Sequence, residues 1–125
     1  MFEVRHIGGR WKEHMIYNFC SLNNCADGFG PEAGLAIDHA GNLYGTTLTG
    51  GTGVCPATGG ITCGTLFKLV LTKSGWQETV LHNFGNGIDG FWPDSVVIFD
   101  AKGNIYGTTE GGGTAIDGTV YQVTP

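Results

Sequence analysis

The heptapeptide GNLYGTT at residues 41–47 returns as GNIYGTT at residues 103–109. A segment written twice in 125 residues constrains the fold strongly, because a period of tens of residues marks a copied supersecondary unit. The copying extends beyond the heptad. DHAGNLYGTT (38–47) and DAKGNIYGTT (100–109) share seven of ten residues at a separation of 62. Upstream, WKEHMIYNF (11–19) and WQETVLHNF (76–84) keep Trp, Glu, Asn and Phe in place at a separation of 65. Downstream, GTLFKLV (64–70) and GTVYQVT (118–124) match at a separation of 54. The separation falls because the first copy holds insertions, between Phe19 and Asp27 and between Gly51 and Gly64.

Each copy reads as four strands. WQETVLHNF alternates apolar and polar residues through Trp76, Thr79 or Val80 and Leu81, and SVVIFD is a short apolar run. NIYGTT and GTVYQV are rich in β-branched and aromatic residues. Between the second and third runs, Asp38-x-x-Gly41-Asn42 and Asp100-x-x-Gly103-Asn104 write the same tight hairpin turn, an Asp that bonds its following backbone beside a Gly. No stretch keeps helical periodicity for three turns. The chain contains 23 glycines and only 14% charged residues, the profile of a turn-dense β protein. Its hydrophobic share of 41% is enough to offset the entropy of folding.

The chain is therefore expected to be one all-β domain over residues 1–125, built from two four-stranded propeller-blade-like repeats at about 11–70 and 76–125. Phe2 precedes Trp11 by nine residues, as Phe67 precedes Trp76, so residues 1–10 read as the remnant of a preceding repeat. The second blade, from Ser95 to Val123, then lacks an outer Trp strand that the N-terminal WKEHMIYNF carries spare. This phase leads to an expected homo-oligomer, three chains making six blades, closed into a β-propeller by strand exchange between chains. A fold-back monomeric sandwich and a piece of a longer propeller are the competing architectures.

The string DGFWPDSVVIFDAKGNIYGTTEGGG (89–113) followed by GTVYQVTP (118–125) resembles the GloVer-type tandem repeat of bacterial surface and secreted proteins. That repeat follows a pattern similar to DGxxPxxxLxxDxxGNLYGTTxxGG…GTVFxLTP. The second copy departs from it at Ile105 and Tyr121, and the first at Leu66 and at its insertions. The resemblance spans nearly the whole chain. It implies propeller blades in which DxxGNLY forms an inner hairpin, and an extracellular or cell-surface location. It brings no established activity.

Charge and composition exclude some partners. Six basic against eleven acidic residues give a net charge of −5, without the cationic cluster that nucleic acid requires. No apolar run approaches the length of roughly 20 residues that spans a bilayer. Met1-Phe2-Glu3-Val4 does not open a signal peptide. All four cysteines lie in the two insertions, so Cys20 with Cys25 and Cys55 with Cys63 are expected to pair locally in an oxidising compartment; a zinc site favours shorter spacing.

Candidate chemistry is sparse. Ser21, Ser74 and Ser95 sit in no nucleophile motif, and His6, His14, His39 and His82 share no spacing, although His82 takes the place of Tyr17. Asp27 and Asp89 open DG pairs, while Asp38 and Asp100 open the hairpins. These loop carboxylates could serve calcium, yet each recurs at a turn, where a structural role is sufficient. TEGGGTAIDGT lacks the Lys and the following helix of a phosphate loop. Trp11 and Trp76 recur as packing anchors. The loop DGFWPD is different, because Trp92 has no counterpart in the first copy. Asp89, Phe91, Trp92 and Asp94 are the candidate ligand site, with a glycan as the expected ligand class. Together these features favour a non-enzymatic binding or structural module without a required cofactor. The competing class is a propeller-type hydrolase with a central metal ion.

Overall fold

Two turns of the same chemistry frame the computed structural model, which describes residues 1–55 and 62–125. Asp38 Oδ1 accepts the backbone N–H groups of Ala40 and Asn42, both at 2.9 Å. Its Oδ2 accepts the Asn42 amide at 2.8 Å and the Tyr44 hydroxyl at 3.1 Å. Asp100 repeats this set with Lys102, Asn104 and Tyr106, at 2.7 to 3.2 Å. Bonds to the charged form lower a carboxylate's pKa. Desolvation opposes this at Asp38 but is outweighed by Asn42, Tyr44 and Ala40, and the Asn104 amide leads the same effect at Asp100.

Among the described residues nine strands follow from these turns and their flanks: β1 (Phe2–Ile7), β2 (Arg10–Met15), β3 (Ala36–Ile37), β4 (Leu43–Thr47), β5 (Thr65–Thr72), β6 (Gly75–Asn83), β7 (Ile98–Phe99), β8 (Ile105–Thr109) and β9 (Thr119–Val123). The one helical element among the described residues is a 3-10 turn at Asn23–Cys25, so the chain is all-β as its pattern indicates. All strand pairs are antiparallel. They form a hairpin β1-β2, a four-stranded sheet β3-β4-β5-β6 and a three-stranded sheet β7-β8-β9. The expected pair of four-stranded units is thus drawn as sheets of two, four and three strands. The Trp11 strand is laddered along its whole length to β1, not to the strands that follow it.

The heptad's remaining residues serve the sheet. Gly45 lies opposite Phe67 and Gly107 opposite Tyr121 across the β4-β5 and β8-β9 ladders. A Cβ at Gly45 would stand 2.7 Å from the Phe67 ring, and one at Gly107 would strike Tyr121. The heptad's glycine is therefore room for a cross-strand aromatic ring. Its last threonine, Thr47 or Thr109, shares a hydroxyl bond with Thr65 or Thr119 at 2.8 and 2.7 Å. Gly28 and Gly90, both at positive φ, cover these hydroxyl pairs so closely that a side chain would meet Thr47 or Thr109. That contact is why each DG pair ends in glycine.

Alternation then divides the core. Leu43, Phe67 and Leu69 pack on one face of the four-stranded sheet with Met1, Ile16, Tyr17, Phe19 and Trp76. Their neighbours Tyr44 and Leu66 point to the opposite face, where they meet Val97, Ile105, Phe99 and Tyr121 of the three-stranded sheet and its flanks. The Tyr44 and Phe99 rings meet edge-on at 5.0 Å. Both faces of the central sheet are buried, which is what a unit with apolar residues on both sides requires. A bulge beside Leu66 and Phe67 takes Leu81 out of the ladder, and this explains the broken alternation at Thr79-Val80-Leu81.

Both expected disulfides form, Cys20–Cys25 and Cys55–Cys63, which fits an oxidising compartment. Residues 56–61 of the second insertion lie outside the described residues. Among the described residues no helix is long and apolar enough to cross a membrane.

Candidate functional site

The end of β6 and the loop after it carry a polar pair. His82 Nε2 and Asp89 Oδ2 are hydrogen-bonded at 2.9 Å, and Asp89 Oδ1 accepts the Gly85 N–H at 3.0 Å. The Phe84 ring meets the imidazole edge-on at 4.7 Å. The first copy makes the same arrangement with other residues. Tyr17, aligned with His82, donates its hydroxyl to Asp27 at 3.0 Å, and Asp27 also accepts the Ser21 N–H, the Ser21 hydroxyl and the Leu22 N–H. Asp27 is fully buried. Desolvation would raise its carboxyl, but the bonds from Ser21, Leu22 and Tyr17 hold it below the usual range.

A cleft of about 480 Å³ opens beside this pair and runs along β9, lined by the polar side chains of His82, Asp89, Gln122 and Thr124 and by the apolar ones of Ile88, Val120 and Val123, with Thr119 and Tyr121 between them. It occupies the side of β9 that faces away from β8. In the four-stranded sheet, β6 fills the equivalent side of β5. Tyr121 is half-buried beneath it, and burial alone pushes its phenol up.

The four sequence candidates separate in space. Asp89 lines the cleft. Phe91, 8% exposed, belongs to the core, and its backbone bridges to Gly111. Trp92 is half-buried and edge-on to Phe91 at 5.0 Å, with its backbone N–H bonded to the Cys63 carbonyl at 3.0 Å and φ at +58°. Asp94 is exposed. Neither Trp92 nor Asp94 lines the cleft.

Two residues of interest escaped the sequence reading. His82 was visible only as the counterpart of Tyr17, and its reach to Asp89 depends on how the intervening loop turns. Glu78 was visible only as one of the residues kept in both copies. It lies on β6 with Oε1 buried and without a hydrogen-bond partner. Burial, with a contribution from the charge of Asp27, pushes its carboxyl up to about 7.

Among the described residues no three His, Cys, Asp or Glu side chains converge as metal ligands. The carboxylates of Asp27, Asp38, Asp89 and Asp100 are each bonded to donors of their own loop. No protein-family model, curated protein or solved structure matches this chain.

Proposed function

We propose that this chain is a non-enzymatic binding and structural module whose sheets are β-propeller blades, and that the cleft along β9 receives an extended strand. The observation that carries this reading is the asymmetry between equivalent strands. β5 is paired on both sides, by β4 and β6, whereas among the described residues β9 is paired by β8 alone. An unpaired ladder edge offers a row of backbone donors and acceptors, the chemistry that recognises another strand. The mixed lining, polar from His82, Asp89, Gln122 and Thr124 and apolar from Ile88, Val120 and Val123, suits a partly solvated strand with alternating side chains. The resemblance to the GloVer-type repeat supports blades and a surface or secreted setting, and assembly with further copies of the chain follows from that reading. Exchange of β2 onto β9 requires the β1-β2 hairpin to open, because β1 holds the ladder of β2.

The test is a labelled peptide with the sequence of β6, GWQETVLHN, titrated into the chain by fluorescence anisotropy. Saturable binding that a scrambled peptide lacks is the expected result. No binding of the β6 peptide, together with a glycan-array signal lost in Trp92→Ala, would move the site to the loop at 89–94.

A further inference from the structure

We infer that the apolar face of the β1-β2 hairpin docks head-to-tail onto the outer face of the β7-β8-β9 sheet of a second copy of this chain. The inference deepens the proposed assembly and rests on that reading, but it does not depend on the cleft.

The hairpin is two-faced. By register, Phe2 and Met15, Val4 and Glu13, and His6 and Trp11 share one side, while Glu3, Arg5, Arg10, Lys12 and His14 occupy the other with Ile7. One side is thus mostly apolar and the other mostly charged. Two-stranded hairpins are marginal in water unless an apolar face is covered. Phe2, Val4, Trp11 and Met15 nevertheless all remain exposed within the chain.

What should cover them is indicated by the interface the chain already contains. Sequence correspondence places Phe2 and Val4 where β5 has Phe67 and Leu69, and where β9 has Tyr121 and Val123. Phe67 and Leu69 are 0% exposed, but Phe2 is 56% and Val4 51% exposed. Tyr121 and Val123 pack against the face of the central sheet that carries Ala36, Tyr44 and Leu66. The counterparts of those three residues are Ile98, Tyr106 and Val120. Register places Ile98 and Tyr106 directly across from one another, with Val120 on the same side, and this face lines an apolar cleft of about 190 Å³. Leu66 is 0% exposed, whereas Val120 is 79% exposed.

One copy therefore presents the receiving face of the internal interface and the other presents its inserting face, each uncovered. The two faces differ, so the contact is heterologous and each chain can use both ends. A second copy of the chain fits this face, because the equivalent face is already covered once within the chain by residues equivalent to those of the hairpin. Burial of Phe2, Val4 and Val120 supplies the driving force.

The experiment uses the full chain and two surface variants, Val120→Glu on the receiving face and Phe2→Glu on the inserting face, with mass followed by light scattering. The wild type is expected to associate and each variant alone to have the mass of one chain. An equimolar mixture of the variants should give a dimer and stop there, because each supplies the face the other has lost. Association that survives Val120→Glu would overturn face docking in favour of strand exchange. A mixture that fails to pair would also overturn it. A wild-type monomer that still binds the β6 peptide would overturn docking while leaving the strand-accepting cleft intact.

Discussion

Gly45 and Gly107 show how closely the repeated heptad is tied to its partner strand. Each leaves space for the aromatic ring directly across the ladder, Phe67 or Tyr121. Gly45→Ala is expected to cost about 1–3 kcal/mol in urea unfolding, the usual range for overpacking a tight site. Glu78 governs pH dependence at the same scale. Its folded-state carboxyl is raised from 4.5 to about 7, so the folded chain favours the neutral form. Below the ordinary carboxylate pKa that stability is fully present, and it is lost as pH rises through the folded-state value, where the folded form also ionises. Thermal melts should show the midpoint falling between pH 5 and 8, with Glu78→Gln removing most of the fall. Asp27 acts in the opposite sense, contributing stability that is lost only in acid. The Asp38 and Asp100 turns were legible in sequence because an Asx turn is local. The His82–Asp89 bond was not, because its partners sit seven positions apart across a loop whose path the residues do not announce.

At the scale of elements, the disulfides were legible because the pairs lie close in sequence, at separations of 5 and 8. Cys20–Cys25 encloses Ser21 and Leu22, whose donors hold Asp27, so it braces a buried carboxylate as well as a loop. Cys20→Ser with Cys25→Ser should lower unfolding stability by about 2 kcal/mol, as loop-closure entropy gives for so short a loop. Comparison of the melting temperature with and without the double substitution measures it; an unchanged value would mean that the Asp27 bonds alone order the segment. The strand count was less legible. Four runs per copy were read as β, but the sequence does not say which runs share a ladder. WKEHMIYNF therefore read as the opening of one unit, whereas its hydrogen bonds go to the strand before it. The bulge that drops Leu81 from the ladder was also hidden, since a bulge changes register without changing composition.

For the whole molecule, both faces of the central sheet are buried, and the outer sheets each leave an apolar face open. The all-β class was legible from glycine content and alternation. Which faces the chain leaves uncovered was not, because that depends on exposure differences between equivalent residues such as Leu66 and Val120. The residues of the loop at 89–94 part company in a way that adjacency in sequence does not announce: Asp89 lines the cleft, while Phe91 packs in the core. The central claim is that these units are completed by further copies of the chain. Its most direct test is the mass in solution by light scattering across a wide range of concentration. A defined oligomer of several chains is the predicted result, and a single-chain mass at every concentration would contradict the account.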